Sequence, residues 1–259
     1  MQKRNLVVKI GRACLAMALT AFASYTQATT ITYDFSTKNI GTFSDTALLT
    51  GSDSSTLTAT AFARTDTGAT VEARLGAAPG YGLYVCSDSN LDGTHRHFMS
   101  CGFDTFFSPE DIYPVDGEDN IDEGIKLAFN DGNDYQLKSA SFFVYDSWWV
   151  GEHDESGNGS DIYADSSKLG TALFNVNNLF SDCVNSGRNP SNLGNYYDCT
   201  FNSGALVANN FSFVASEPVH KFKLKNIVVE TVSVAEPGTL ALLGIGILGL
   251  SLCRSRRLS

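Results

Sequence analysis

The chain of 259 residues lacks the short signatures of the common catalytic and nucleotide-binding sites. It has no Gly-x-Ser-x-Gly elbow, no HExxH pair, no P-loop and no CxxC pair. Basic residues are also few, 18 Lys and Arg against 28 Asp and Glu, and such a balance repels nucleic acid. These absences predict a protein that is not an enzyme and has no nucleic-acid partner. Paired carboxylates for glycoside hydrolysis stay open, because the distance between two carboxyl groups is invisible in a sequence.

A long apolar run is missing as well. The apolar run near the C-terminus is residues 239–253, which span only about 22 Å as a helix against a hydrocarbon core of roughly 30 Å. Glu236 and Pro237 precede it, and a cluster of Arg254, Arg256 and Arg257 follows. The arginines are expected to stay on the cytoplasmic side and leave the rest of the chain outside. The short run favours a temporary stop in the inner membrane, with an ordinary single-pass anchor as the alternative.

The N-terminus has the three parts of a secretory signal peptide. A basic region ends at Arg12, an apolar region spans residues 13–23, and Thr26-Gln27-Ala28 offers small residues for cleavage after Ala28. We therefore predict a signal peptide at 1–28, a folded core at 29–234 and a C-terminal apolar helix within 235–259. The core holds 27 acidic and 11 basic residues, a net charge of about −16.

The C-terminal order of Ala235-Glu236-Pro237-Gly238, apolar run and arginine cluster resembles the PEP-CTERM sorting signal of Gram-negative bacteria. The same tail is also known as an ice-binding-protein C-terminal motif, a name that does not itself imply ice binding. The usual first proline is Ala235 here. The resemblance implies that an exosortase in the inner membrane recognises the tail, cuts near Glu236-Pro237 and releases the protein to the surface or matrix.

The core is predicted to be a single, jelly-roll-like β-sandwich. Residues 56–64 alternate with period two, 69–75 are their expected hairpin partner, and 130–134 (Asn-Asp-Gly-Asn-Asp) predict a tight turn. No helical period lasts ten residues. Other strands are expected at 31–35, 81–85, 97–103, 125–129, 137–145, 206–215 and 219–234, the last with Lys221, Lys223 and Lys225 facing outward. The stretch 175–204 is expected to be a long surface loop.

Four cysteines in an exported core predict disulfides. We favour the local pairing, Cys86 with Cys101 and Cys183 with Cys199, among the three possible connectivities. A zinc site is the rival, and the absence of a CxxC pair weighs against it.

An acidic segment at 104–123 is the strongest candidate for a metal site. Within it, Asp116, Glu118, Asp119, Asn120 and Asp122 place five oxygen donors in seven residues, which suits structural calcium. The spacing is not that of an EF-hand, and a solvated acidic loop is the alternative. A second acidic group, including Asp161 and Asp165, is a weaker candidate.

The adjacent Trp148 and Trp149 follow a predicted strand, so one of them is expected to face solvent and could stack on a sugar ring. Burial of both is the alternative. His95 and His97 could chelate a metal with His153 or His220, but scattered histidines are more often ordinary surface residues.

The middle of the chain resembles a family of exosortase-dependent surface proteins. The resemblance covers roughly 80–165 and rests on Gly80 to Val85, Val115 to Asn120, Ile125 to Phe129 and Leu137 to Asp146. It implies a β-sandwich surface protein without catalytic residues. The first hypothesis is therefore a non-catalytic surface or matrix protein associated with exopolysaccharide in biofilm. A calcium-dependent carbohydrate-binding module and a secreted glycoside-active enzyme are the alternatives.

Overall fold

Alternation of apolar and polar residues with period two dominates the chain, and it folds accordingly into strands. The computed structural model describes residues 28–37, 40–65, 67–87, 115–116, 121–145, 159–174, 178–188, 194–202, 206–216 and 221–232. Most of these residues lie in strands and none in a helix. Two antiparallel sheets pack face to face, which confirms the predicted all-β sandwich.

Seventeen strands are present in the described part of the chain, numbered β1 to β17 in chain order. Sheet A consists of β1 (Thr30–Asp34), β2 (Ile40–Ser44), β6 (Ala73–Ala78), β7 (Gly82–Ser87), β8 (Val115–Asp116), β10 (Tyr135–Tyr145), β13 (Ser181–Arg188), β14 (Gly194–Phe201), β15 (Val207–Ala208) and β17 (Lys221–Thr231). Sheet B consists of β3 (Thr46–Thr50), β4 (Thr56–Thr65), β5 (Thr70–Val71), β9 (Ile121–Phe129), β11 (Gly159–Ala164), β12 (Ser167–Leu173) and β16 (Asn210–Ala215).

The main path of sheet A runs β13-β14-β10-β17-β7-β6-β2, and β1, β8 and β15 add to it at β17 or β10. Sheet B runs β12-β11-β16-β9-β4-β3, with β5 beside β4. The final strand of the described chain, β17, is thus the centre of sheet A and pairs with the first strand, β1. Residues Thr29–Val232 form one compact unit.

Apolar side chains from the facing sides of the two sheets form the main core. Phe142 of sheet A contacts aromatic residues across this core, since its ring centre lies 5.9 Å from that of Phe213 of sheet B and 4.8 Å from that of Phe174. Phe222 adds a perpendicular contact at 5.4 Å. These rings are fully buried, so the two sheets are held by close aromatic packing as well as by the removal of apolar area from water.

Strand directions give the sandwich two distinct ends. The near end carries Thr29 and Val232 together with the turns 51–55, 130–134 and 165–166. At the far end lie the strand ends Ser87, Ile121, Tyr145, Gly159 and Lys221. The far end therefore carries the residues that flank the longer undescribed segments, namely 88–114, 117–120, 146–158, 189–193 and 217–220.

Three sequence expectations need correction. Residues 69–75 are not one strand: Thr70–Val71 pairs with β4 as expected, but the chain then crosses at Glu72 into β6 of the other sheet. Much of 175–204 is an antiparallel strand pair, β13 and β14, rather than a surface loop. Lys223 points away from the core as predicted, yet only 1% of it is exposed.

A disulfide joins Cys183 to Cys199, with an S–S distance of 2.00 Å. The two residues are direct register partners on β13 and β14, and both are buried against the core. The bond therefore fastens an edge strand of sheet A to its neighbour. Closing a segment of this length contributes about 3 kcal/mol on the chain-entropy model. Cys101 lies outside the described residues, so its pairing with Cys86 stays a prediction.

Candidate functional site

Most residues singled out in the sequence lie outside the described part of the structure. These are the sorting residues Glu236, Pro237, Arg254, Arg256 and Arg257, the pair Trp148 and Trp149, and Glu118, Asp119 and Asn120 of the acidic segment. Their proposed roles stay predictions. The flanking strand ends nevertheless belong to one end of the sandwich: Tyr145 and Gly159 bracket the tryptophans, and Asp116 and Ile121 bracket 117–120 at the far end.

Two members of the predicted calcium set fall on described strands. The backbone of Asp116 pairs with Lys221 in β8 and β17. Asp122 lies on the outer face of sheet B, directly opposite Arg64 in the register of β4 and β9. A carboxylate beside a guanidinium already has a compensating charge, so Asp122 has less need of a cation. Among the described residues no group of three or more His, Cys, Asp or Glu side chains could hold a metal ion.

A buried carboxylate on the outer face of sheet B has a complete set of partners. Asp161 in β11 is 1% exposed and accepts a hydrogen bond of 2.5 Å from Lys168 Nζ. Thr171 Oγ1 and Ser216 Oγ donate to the same carboxylate. Thr171 lies in β12 and Ser216 directly follows β16, the two strands on either side of β11, so this network ties the three strands together. Asp161, expected in an acidic loop, is a strand residue, while Asp165 lies in the two-residue turn after it.

Electrostatics keep the Asp161 carboxylate ionised. Burial alone raises its pKa, but the hydrogen bonds from Lys168, Ser216 and Thr171 outweigh burial, and the net pKa lies below the ordinary value of 3.8. The nearby phenol of Tyr163 has a raised pKa, first from burial and then from the charge of Asp161. A carboxylate with three donors and a lowered pKa is suited to structural anchoring rather than to general acid–base work.

We expect Asp161→Asn to lower the free energy of unfolding at neutral pH by about 1–3 kcal/mol, because the buried hydrogen bonds to a charged acceptor are lost. A lowered pKa in the folded state stabilises it above the unfolded pKa, near 4, and this contribution disappears as the pH falls through the folded value. The difference from wild type should therefore shrink below pH 4. Urea unfolding at several pH values measures it, with the exposed Asp182→Asn as the control. A difference independent of pH would contradict this account.

A second polar feature lies on the outer face of sheet A. Lys223 in β17 is surrounded by Tyr81, Tyr84 and Phe143, which form a small separate apolar cluster with Tyr196 at its side. The ammonium group lies 5.4 Å from the ring centre of Tyr81 and 5.2 Å from that of Tyr84. Lys225 repeats the arrangement, 4.5 Å from the ring centre of Tyr196. Cation–π attraction of this kind compensates part of the cost of burying a lysine.

The aromatic–lysine cluster depends on small residues in the neighbouring strands. A Cβ on Gly76 would lie 2.4 Å from the Tyr84 ring, so the tyrosine lies flat across β6 only because that position is glycine. Burial and the neighbouring Tyr81 raise the pKa of Tyr196. The sequence alone did not reveal the cluster. The available signal is an outward-facing aromatic residue on each of β7, β10 and β14, strands that come close to one another only in the folded sheet.

The described residues include no helix of the length and apolarity needed to cross a bilayer. No curated protein sequence matches the chain. No solved structure matches it either.

One family model matches the chain, and the match covers residues 233–257 at the C-terminus. It begins at the residue that follows Val232, the last residue of the compact unit. The model describes the PEP-CTERM protein-sorting motif, which confirms the resemblance found in the sequence and implies exosortase-dependent sorting of an exported protein. The chain is thus a β-sandwich that carries a C-terminal PEP-CTERM sorting motif.

Proposed function

We propose that the chain is a non-catalytic cell-surface or extracellular-matrix protein, delivered by its C-terminal motif and associated there with exopolysaccharide. The observation that carries the proposal is the sorting-motif match at 233–257. In this account the signal peptide directs export, the apolar run 239–253 pauses in the inner membrane, and the arginine cluster holds its cytoplasmic side. An exosortase then processes the tail and releases the folded sandwich.

The described sandwich supports a role as stable cargo. The buried carboxylate of Asp161 accepts hydrogen bonds from Lys168 and two hydroxyl groups, and a disulfide joins the edge strand β13 to its neighbour. Hydroxyl side chains line the outer faces: Thr58 and Thr60 on sheet B, and Ser139, Ser141 and Thr200 on sheet A. Such hydroxyl groups can exchange hydrogen bonds with polysaccharide hydroxyls, and their strength of binding per group is modest.

Substitution of Arg254, Arg256 and Arg257 together by serine is expected to keep the protein in an unprocessed, membrane-associated form. Wild type should appear shortened by the mass of the tail and should fractionate with the matrix polysaccharide. The measurement is fractionation of a culture with an active exosortase into membrane, matrix and medium, followed by intact mass. Lys126→Ser, on the exposed outer face of sheet B, is the control for loss of positive charge.

Normal processing of the arginine variant would contradict the sorting role. Processed wild-type protein found only in the medium would remove the polysaccharide association and leave the sorting role intact.

A further inference from the structure

The two chain ends of the sandwich are held against each other. The backbone N–H of Thr29 donates to Thr231 Oγ1 at 2.8 Å, and the N–H of Thr231 donates to the Thr29 carbonyl at 3.0 Å. Thr30 and Glu230 face each other in the register of β1 and β17. The connection to the signal peptide and the connection to the sorting motif therefore leave the fold side by side at the near end.

Almost no linker separates the fold from the sorting motif. The motif match starts at 233, and only residues 233–238 lie between Val232 and the apolar run. From Val232 to Thr239 a fully extended chain reaches at most about 25 Å. The central strand β17 alone, with 11 residues, is about 36 Å long. An inserted tail therefore limits the distance of the near end from the bilayer, whereas the far end can be considerably farther away.

The turns at this end carry acidic residues without basic ones. The segments 51–55, 130–134 and 165–166 contain four Asp residues and no Lys or Arg, namely Asp53, Asp131, Asp134 and Asp165. Neutral groups hold three of them: Ser55 donates to Asp53, Tyr135 to Asp131 and Asn210 to Asp165. Burial raises the pKa of Asp131, but the hydrogen bonds from Tyr135 and Asn133 outweigh burial and lower the pKa overall. Anionic lipid headgroups within about a Debye length of 8 Å are expected to repel these acidic turns.

We propose that the near end is the membrane-facing surface of the tail-inserted precursor, and that its carboxylates hold the folded domain off an anionic lipid surface. The sorting enzyme can then reach the segment 233–238 between the domain and the lipid. This inference rests on insertion of the tail, as assumed in the proposed function.

Energy transfer between the protein and labelled lipid headgroups tests the orientation. Residues 29–259 are reconstituted into vesicles of phosphatidylcholine alone or with phosphatidylglycerol, with a fluorescent amino acid at Val207 near one end or at Thr67 near the other. Both positions are exposed. Transfer is expected to be several-fold higher from position 207 than from position 67. Equal transfer from the two positions, or higher transfer from position 67, would overturn the proposal.

A pair of charge variants tests the role of the carboxylates. Asn133→Lys with Asp134→Lys should raise transfer from position 207 in vesicles with phosphatidylglycerol and leave it unchanged in phosphatidylcholine. Asn185→Lys with Asp182→Lys makes the same charge change on β13 and should have no effect in either lipid. No response of the near-end variant to the anionic lipid would overturn the repulsion. Flotation with the vesicles is measured in parallel, since a protein that does not float contradicts tail insertion and with it the proposed function.

Discussion

Phe142→Ala is expected to lower the free energy of unfolding of the sandwich by about 3–5 kcal/mol. The side chain is fully buried and contacts Phe174, Phe213 and Phe222, so its removal leaves a cavity where the two sheets meet. Rigid aromatic neighbours on both sheets cannot collapse into the space, which places the cost toward the upper part of this range. Urea or guanidinium unfolding of the purified core, followed by circular dichroism, measures the change.

Leu48→Ala is the matched control for this substitution. Leu48 is 68% exposed on an edge strand of sheet B, and its truncation should change stability by no more than about 0.5 kcal/mol. A cost for Phe142→Ala below about 1 kcal/mol would mean that the sheets do not meet at this ring.

Gly82→Ala is expected to cost about 3–5 kcal/mol, because backbone strain and overpacking act at the same position. Gly82 has a φ of +104°, a conformation that residues with a Cβ rarely adopt. The added Cβ would also lie 2.2 Å from the carbonyl oxygen of Leu224 in β17. That atom belongs to the backbone of the central strand, so relief requires β7 to move away from β17.

Gly132→Ala separates the two causes. Gly132 has a φ of +72° in the turn before β10, and no atom lies within 4 Å of the added Cβ. Its cost should be only the conformational term, about 1–2 kcal/mol. Thermal unfolding of both variants measures the difference, and equal midpoints would contradict the close approach of β7 to β17.

Regular alternation made much of the fold predictable. Residues 56–64 and the turn 130–134 were located correctly, since their patterns are local and strong. The sequence does not indicate β13 and β14, because Gly, Asn, Ser and Asp make up half of their residues. A disulfide and strand pairing override this weak preference for strands. The break at Glu72 was missed for a different reason. Both β5 and β6 suit a strand, and only the packing of the two sheets decides where the chain crosses.

The functional features also differ in whether the sequence can predict them. The sorting motif is a continuous segment, so its order of residues was sufficient to identify it. The burial of Lys223 depends on Tyr81, Tyr84 and Phe143 from other strands, and no linear pattern in β17 indicates them. The sequence marks Asp161 only as one of several acidic residues. It does not indicate the partners Lys168 and Ser216, because they lie 7 and 55 residues away.

The position of β17 has a consequence for the order in which the sandwich can fold. The last strand of the described chain is the one that β10, β7, β8 and β1 all require as a neighbour. Sheet A therefore cannot be completed until residues 221–231 are free to pair, and pairs as distant as Thr30 and Glu230 make its closure intrinsically slow. In an exported chain with this topology, we expect the sandwich to stay unfolded, and so able to pass through a translocation channel, until residue 231 has crossed.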